Sequence, residues 1–346
     1  RLRTGKYLKE VVSMLANNNK MIINKLAKNS VKSNKKQYGI LFFTIVLSAF
    51  MLFCVFTIGW TYLDSSRLQN TRLNGAEYDI TTMNGFTSKQ VKSLQSNKNI
   101  QNVGMESYAG FIKSSEFDNT VEIGLLWCDE TFWNNLMSPA RTKLDGHYPQ
   151  NKNELMVTKD ILKACGNENL SVGDSIVLTY ENNTGVHTDK FVISGIWDGY
   201  GDKSAGFVSK NFYDETGYDL KNDGILCIKL NRNYVLPTTI QSLEKSLNFS
   251  DRQIFAPTDY IENSFKLLLG ICGLALVICL SAYLLIYNIL YLSISGKIRY
   301  YGLLQSLGMT KKQLVRFIIK QMILVGILGI FIGNLLGIIL CMKLVP

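Results

Sequence analysis

Three charge-free apolar runs constrain this chain more than any other feature: Gln37–Leu63, Leu267–Gly296 and Gln321–Met342. They are 27, 30 and 22 residues long, where about 20 are needed to cross a hydrocarbon core. Backbone groups in lipid must pair internally, so each run reads as a helix. Some 200 polar residues separate the first run from the second, and 24 separate the second from the third. The expected fold is an α-helical membrane domain with three visible transmembrane helices and a large inserted extracytoplasmic α+β domain of two subdomains.

The charge distribution orients these spans. Residues 1–38 carry ten Lys and Arg against the single acid Glu10, and the second inter-span segment carries Lys297, Arg299, Lys311, Lys312, Arg316 and Lys320 with no acid. By the positive-inside rule both segments are cytoplasmic. Residues 64–263 hold 19 basic and 26 acidic residues, a net charge of −7, so the overall +10 is a topology signal. A nucleic-acid partner is not implied, because the positive charge sits beside the spans. The expected location is the bacterial cell membrane, multi-pass, with the N-terminus inside and 64–263 outside. The first run is twice the length of a signal-peptide core and lacks a small-x-small site after Ile58-Gly59-Trp60, so it reads as a retained anchor.

The chain then divides into a cytoplasmic amphipathic segment 1–36, a first span 37–63, the outer domain 64–263, a second span with a stalk at 264–294, a loop at 295–318 and a third span at 319–344. In the first segment Leu8, Val11, Val12 and Leu15 share one face, and Ile23, Leu26, Ala27 and Val31 form another. Lysines occupy the remaining sides, as in a helix lying on the membrane surface; a basic tail that packs against nothing is the plain alternative. The outer domain predicts strands at Tyr78–Thr82, Val103–Lys113, Val121–Trp127, Leu155–Thr158, Ser175–Tyr180, Lys190–Trp197 and Ile225–Leu230. Helices are expected over Ser88–Leu94, capped by Thr87 or Ser88, and over Leu236–Leu247. Asn182-Asn183-Thr184-Gly185 reads as a hairpin turn. A boundary between subdomains of about 64–145 and 146–263 is expected near 140–146.

Several chemistries are disfavoured. Only Cys128, Cys165 and Cys227 lie in the outer domain, without CxxC or metal spacing, and His147 and His187 are the only histidines, so no metal site is expected. Gly5-Lys6 and Gly296-Lys297 are not followed by Ser or Thr, so no P-loop is present. His147 beside Asp145 and Ser194 near Asp198 lack a nucleophile-elbow context, and no catalytic residue is assigned. The middles of the spans carry no ionisable Asp, Glu, His, Lys or Arg, which disfavours proton relays and ion pathways.

Two patterns remain. In the loop, Gly296, Gly302 and Gly308 punctuate Leu303, Leu304 and Leu307, predicting a short helix from Lys297 to Leu307 ended by Gly308; an ordinary positive-inside loop is the bland reading. In the third span, Gly326, Gly329, Gly333 and Gly337 include overlapping small-xxx-small steps that admit close approach of another helix. Asn334, the only strongly polar side chain deep in that span, is expected to pair with a neighbouring helix.

The stretch Ser295–Leu314 followed by the glycine-spaced span resembles the signature of FtsX/MacB-type ABC transporter permeases. Gly302, Leu304 and Gly308 match its fixed positions, Ser306 stands at a small-residue position, and Lys311-Lys312-Gln313 matches its basic turn. Tyr300 and Tyr301 replace the family's acid and Ile, and Gln321 replaces an acid near the start of the third span. Gly146-x-Tyr148-Pro149, Glu154–Val157, Val172-Gly173-Asp174-x-Ile176 and Phe191–Ile196 are similar to the MacB-like core domain. The resemblance covers about residues 21–346 and implies a fourth span, so the sequence is expected to be one module of a longer permease. It implies that Lys297, Arg299, Gly302, Leu303, Leu304, Leu307, Gly308, Lys311 and Lys312 form a coupling loop docking on a cytoplasmic ABC ATPase. ATP and Mg would be bound by that partner and by no group of this chain, which is not itself an enzyme. A second permease module and membrane lipid are the other implied partners. Family roles include export or extraction of amphiphilic peptides or lipid-linked molecules and antimicrobial-peptide resistance. The alternative is a membrane receptor or cell-wall-hydrolase regulator whose outer domain binds a ligand or partner.

Overall fold

The computed structural model describes residues 20–113, 123–201 and 204–344. The chain folds as two compact units, one from the residues up to Trp60 and from Gly270 onward, the other inserted between them over Thr61–Leu269.

In chain order the elements are α1 (Lys20–Ser33), α2 (Lys35–Asn74), β1 (Ile80–Met83), α3 (Ser88–Gln95), β2 (Ile100–Lys113), β3 (Ile123–Cys128), β4 (Arg141–Gly146), β5 (Glu154–Thr158), α4 (Lys159–Ala164), β6 (Ser175–Asn182), β7 (Gly185–Gly199), β8 (Ala205–Val208), α5 (Lys210–Tyr213), α6 (Leu220–Asp223), β9 (Ile225–Leu230), α7 (Pro237–Ser246), β10 (Ile254–Pro257), α8 (Asp259–Ser295), α9 (Ile298–Ser306) and α10 (Lys311–Leu344). A single π-helical turn, Phe132–Leu136, follows β3.

The helices α2, α8 and α10 are long and apolar enough to cross a membrane. At 40 and 37 residues, α2 and α8 run past their apolar stretches. In the helical unit, Ile23, Leu26 and Ala27 of α1 pack against Tyr301, Leu304, Leu314, Phe317 and Ile318. The apolar face expected to lie on a membrane surface is therefore covered by protein. The expected partner face at Leu8–Leu15 lies outside the described residues. Val31 joins a second cluster in which Tyr38, Leu41 and Ile45 of α2 meet Ile286, Ile289 and Leu290 of α8 and Met322 and Val325 of α10.

The inserted unit is one sheet in the order β10-β1-β9-β2-β3-β8-β5-β7-β4, with β6 pairing both β2 and β7. Those pairings close a ring of six strands, β2-β3-β8-β5-β7-β6. Alternate residues on its strands, such as Ile123, Leu125 and Trp127 on β3 and Ile176, Leu178 and Tyr180 on β6, build the main core with α4 and α5. Residues 100–106 of β2 instead pair with β9. There Ile80, Val103, Leu226 and Ile228 pack with Leu94 of α3, Leu243 of α7 and Leu247, which caps α7. Thr87 and Gln90 form a capping box at α3, satisfying two of its free N–H groups.

The expected sequential split near 140–146 is not how this unit divides. The strand at 225–230, assigned to the second subdomain, pairs with β1 and β2. One ladder therefore crosses the expected boundary, and the whole insert is a single compact unit. The β6–β7 hairpin turns at Asn183-Thr184, with Asn182 opposite Gly185. Strands β4, β8 and β10 carried no clear sequence signal; β4 is exposed at five of six residues and has one apolar side chain, Leu144. Its place at the sheet edge explains the missing alternation.

A buried ion triad pins β1 to β9. Lys229 Nζ lies 3.2 Å from Glu77 Oε1 and 3.3 Å from Asp79 Oδ2, with the Asp79 side chain 1% exposed. Asp79 Oδ2 also accepts the Leu230 N–H at 2.8 Å. Burial raises the Asp79 carboxyl above its ordinary range, and Lys229 opposes that rise.

Candidate coupling helix and the glycine-lined span interface

The helix α9 has no side-chain cap at its N-terminus, where Lys297 stands, but its C-terminus is closed by residues suited to that end. After Ser306 the chain closes in a Schellman arrangement: Gly308 N–H donates to Gln305 O at 3.0 Å and Met309 N–H to Leu304 O at 3.1 Å. This needs a left-handed residue after the cap, and Gly308 has φ +96°. Two residues later α10 opens with a reciprocal pair, Gln313 N–H to Thr310 Oγ1 at 3.3 Å and Thr310 N–H to Gln313 Oε1 at 3.0 Å.

This short helix has two unlike sides. Tyr301 and Leu304 pack against α1 and the start of α10. Leu303 and Leu307 are 60% and 76% exposed, and Arg299, Gly302, Gly308, Lys311 and Lys312 are exposed as well. The nine residues expected to couple therefore separate into an outward set and an inward set. Leu304 belongs to the inward set, as does Lys297, whose amine lies 5.4 Å from the centre of the Tyr38 ring. That amine is buried without a hydrogen-bond partner, and burial lowers its pKa.

The glycine positions also separate. A Cβ at Gly329 would meet Ile45 Cγ2 at 2.8 Å, one at Gly333 would meet Val46 O at 2.5 Å and Ala49 Cβ at 2.8 Å, and one at Gly337 would meet Phe53 Cδ1 at 2.4 Å. The three line the contact between α10 and α2 of the same chain, where absent side chains let the backbones approach. Gly326 faces open space. Asn334 is half-buried, with no side-chain hydrogen bond among the described residues. Two features of the helix packing went unread in the sequence: Gly59 of α2, where a Cβ would lie 2.7 Å from Ile271 Cδ1 of α8, and the Tyr38 hydroxyl, which donates to Gln321 Oε1 at 2.5 Å. The polar Gln321 in an apolar run was the available signal for the second.

The inserted unit holds a cleft of about 900 Å³ over β4 and the adjoining part of β7, lined by Thr142, Lys143, Asp145, Lys159, Asp160 and Trp197 among others. Elsewhere in the unit Glu106 lies against Cys227 and near Asp129, and burial pushes its carboxyl up to about 7. Cys128 and Cys227 are buried and form no disulfide among the described residues. Among the described residues no group of His, Cys, Asp and Glu is placed to hold a metal.

The chain thus combines three helices long and apolar enough to cross a membrane, a mixed α/β domain inserted between the first two, and a short helix leading into the third. Residues 272–344, from within α8 to the end of α10, match the FtsX-like permease C-terminal family. Among solved structures, the chain is similar to the periplasmic region of MacB from Actinobacillus actinomycetemcomitans, at 15% identity over 56% of this chain and 95% of that one, with a TM-score of 0.37. It is also similar to a domain of a putative permease protein from Porphyromonas gingivalis, at 10% identity over 52% and 88% of the two chains, with a TM-score of 0.34. No curated protein sequence matches the chain.

Proposed function

We propose that this chain is the permease subunit of an FtsX/MacB-type ABC transporter, carrying ATP-driven movement of a cytoplasmic ATPase to an extracytoplasmic domain. The observation that carries the reading is α9: a short helix capped at Gly308, inside the segment that matches the permease family, presenting Leu303 and Leu307 outward beside Arg299, Lys311 and Lys312. Leu303 and Leu307, exposed together with Ile298 and Tyr300 and flanked by basic residues, suit a groove in a partner protein. ATP and Mg are bound by that partner. The α/β insert, net −7, lies outside the cell membrane, and two permease modules stand over two ATPase subunits. An amphiphilic peptide or lipid-linked molecule, exported, extracted or removed from its target, is the proposed substrate class.

The test is co-purification of the full-length protein with the ATPase encoded beside its gene. Wild type is expected to retain the ATPase, and the Leu303→Ser/Leu307→Ser double variant to lose it while eluting at the same size. If wild type captures no ATPase, the permease reading falls. A second reading, an outer domain that binds a ligand or a cell-wall-directed partner, is supported by the roughly 900 Å³ cleft beside β4. It predicts ligand-dependent protection of that cleft with or without the ATPase.

A further inference from the structure

The helical unit contains a buried cation with no counter-charge among the described residues. Lys297 Nζ is shut from solvent against the Tyr38 ring and has no hydrogen-bond partner. The Tyr38 hydroxyl is spent on Gln321 Oε1 at 2.5 Å, which leaves Gln321 Nε2 equally buried and unpartnered on a residue only 1% exposed. Two donors, one just beyond α8 and one on α10, thus sit against a single tyrosine of α2. A buried ammonium costs several kcal/mol unless paired, and an orphaned amide N–H costs about 1–3 kcal/mol. The face of Tyr38 offsets only about 0.5–2 kcal/mol of this.

Among its described residues the helical unit has no carboxylate to supply. Residues 1–60 and 270–346 contain one acid, Glu10, which lies outside the described residues. The sequence also fixes the depth of the site. Tyr38 is the second residue of the first apolar run, Lys297 follows the last residue of the second, and Gln321 is the first of the third. All three stand where apolar chain gives way to basic chain, with Lys35, Lys36 and Lys320 adjacent. That is headgroup depth, where anionic lipids are drawn to basic pockets between spans.

We propose that Lys297 Nζ and Gln321 Nε2 bind the phosphate of an anionic phospholipid of the inner leaflet, held between the cytoplasmic ends of the three apolar helices. The lysine supplies the charge and the amide a directed neutral donor, while phosphate oxygens supply the acceptors that both lack. This site rests on the topology proposed above. Its readout uses no ATPase, so failure here is separable from failure of ATPase capture.

The experiment is native mass spectrometry of delipidated full-length protein titrated with phosphatidylglycerol, with phosphatidylcholine and free glycerol 1-phosphate as parallel arms. One phosphatidylglycerol per chain is expected to be retained where phosphatidylcholine is not, and glycerol 1-phosphate should not displace it. Lys297→Met keeps the stem over Tyr38 and is expected to weaken retention about tenfold or more, the loss of a charge-assisted bond; Lys297→Arg is expected to restore it. Gln321→Glu gives the lysine its counter-charge inside the chain, so it should raise the melting temperature and abolish retention. Wild-type retention by Lys297→Met or by Gln321→Glu overturns the proposal. Displacement by glycerol 1-phosphate overturns the lipid as ligand in favour of a soluble anion.

Discussion

Lys229 is held between the carboxylates of Glu77 and Asp79 just ahead of β1, and removing it strands Asp79 as a buried charge. Lys229→Met is expected to cost about 3–5 kcal/mol of unfolding free energy. The double variant Lys229→Met/Asp79→Leu should recover part of that loss, which a denaturant series on both would read. Gly333 makes a different demand. Its nearest obstacle is the Val46 carbonyl, fixed in a helix backbone, so Gly333→Leu should separate α10 from α2 and lower the melting temperature. Gly326→Leu, placed in open space, should leave the melting temperature unchanged; equal effects at both positions would refute the assignment of the packed face. Glu106 adds a pH dependence. Its carboxyl is raised from an ordinary 4.5 to about 7, so between those values the folded chain keeps a proton that the unfolded chain releases. Its contribution is complete below about pH 4.5 and is lost as pH rises through 7, a change of about 3 kcal/mol. Glu106→Gln should flatten the melting temperature over that interval. None of these three environments was legible in the sequence, because each depends on which residues of distant segments become neighbours. The glycine spacing announced a close approach but could not say that the partner was the chain's own first span.

At the scale of elements, α9 was readable because its end is written locally: a left-handed position followed by a capping pair needs few neighbours to form. Gly308→Ala should cost about 1–2 kcal/mol for the left-handed backbone. Gly308→Pro should do more, since proline cannot adopt φ +96° and also loses the N–H given to Gln305. In the proposed transporter, Gly308→Pro should uncouple ATP hydrolysis from transport while membrane insertion persists, measured as ATPase activity against substrate flux; unchanged coupling would sink the role given to this helix. The helix α1 was legible as amphipathic, but what covers its apolar face was not. A face of Ile23, Leu26 and Ala27 between lysines carries the same pattern whether lipid or protein covers it. Most strands of the insert were visible through their Val, Ile and Tyr content. Strand β4 was not, because an edge strand exposed on both faces has no apolar periodicity to show.

At the scale of the whole molecule, the pattern of apolar runs was enough for the three long helices, since length and the absence of charge decide a membrane span almost alone. The architecture of the insert was beyond such reasoning. Its strand β2 is 14 residues long and serves the six-stranded ring with one end and the β9 ladder with the other, a division of labour invisible in local composition. Strand β1 bears this out at longer range, with Ile80 opposite both Ile228 and Pro257. During synthesis, therefore, the first strand emerges long before either partner, and its second partner is complete only at Pro257, just as α8 begins at Asp259. A topology dominated by such distant pairings folds slowly and leaves an unpaired edge waiting. The insert reaches its final pairing only when the second long apolar helix is itself being made, so translation completes the sheet of the insert and begins that helix at nearly the same moment.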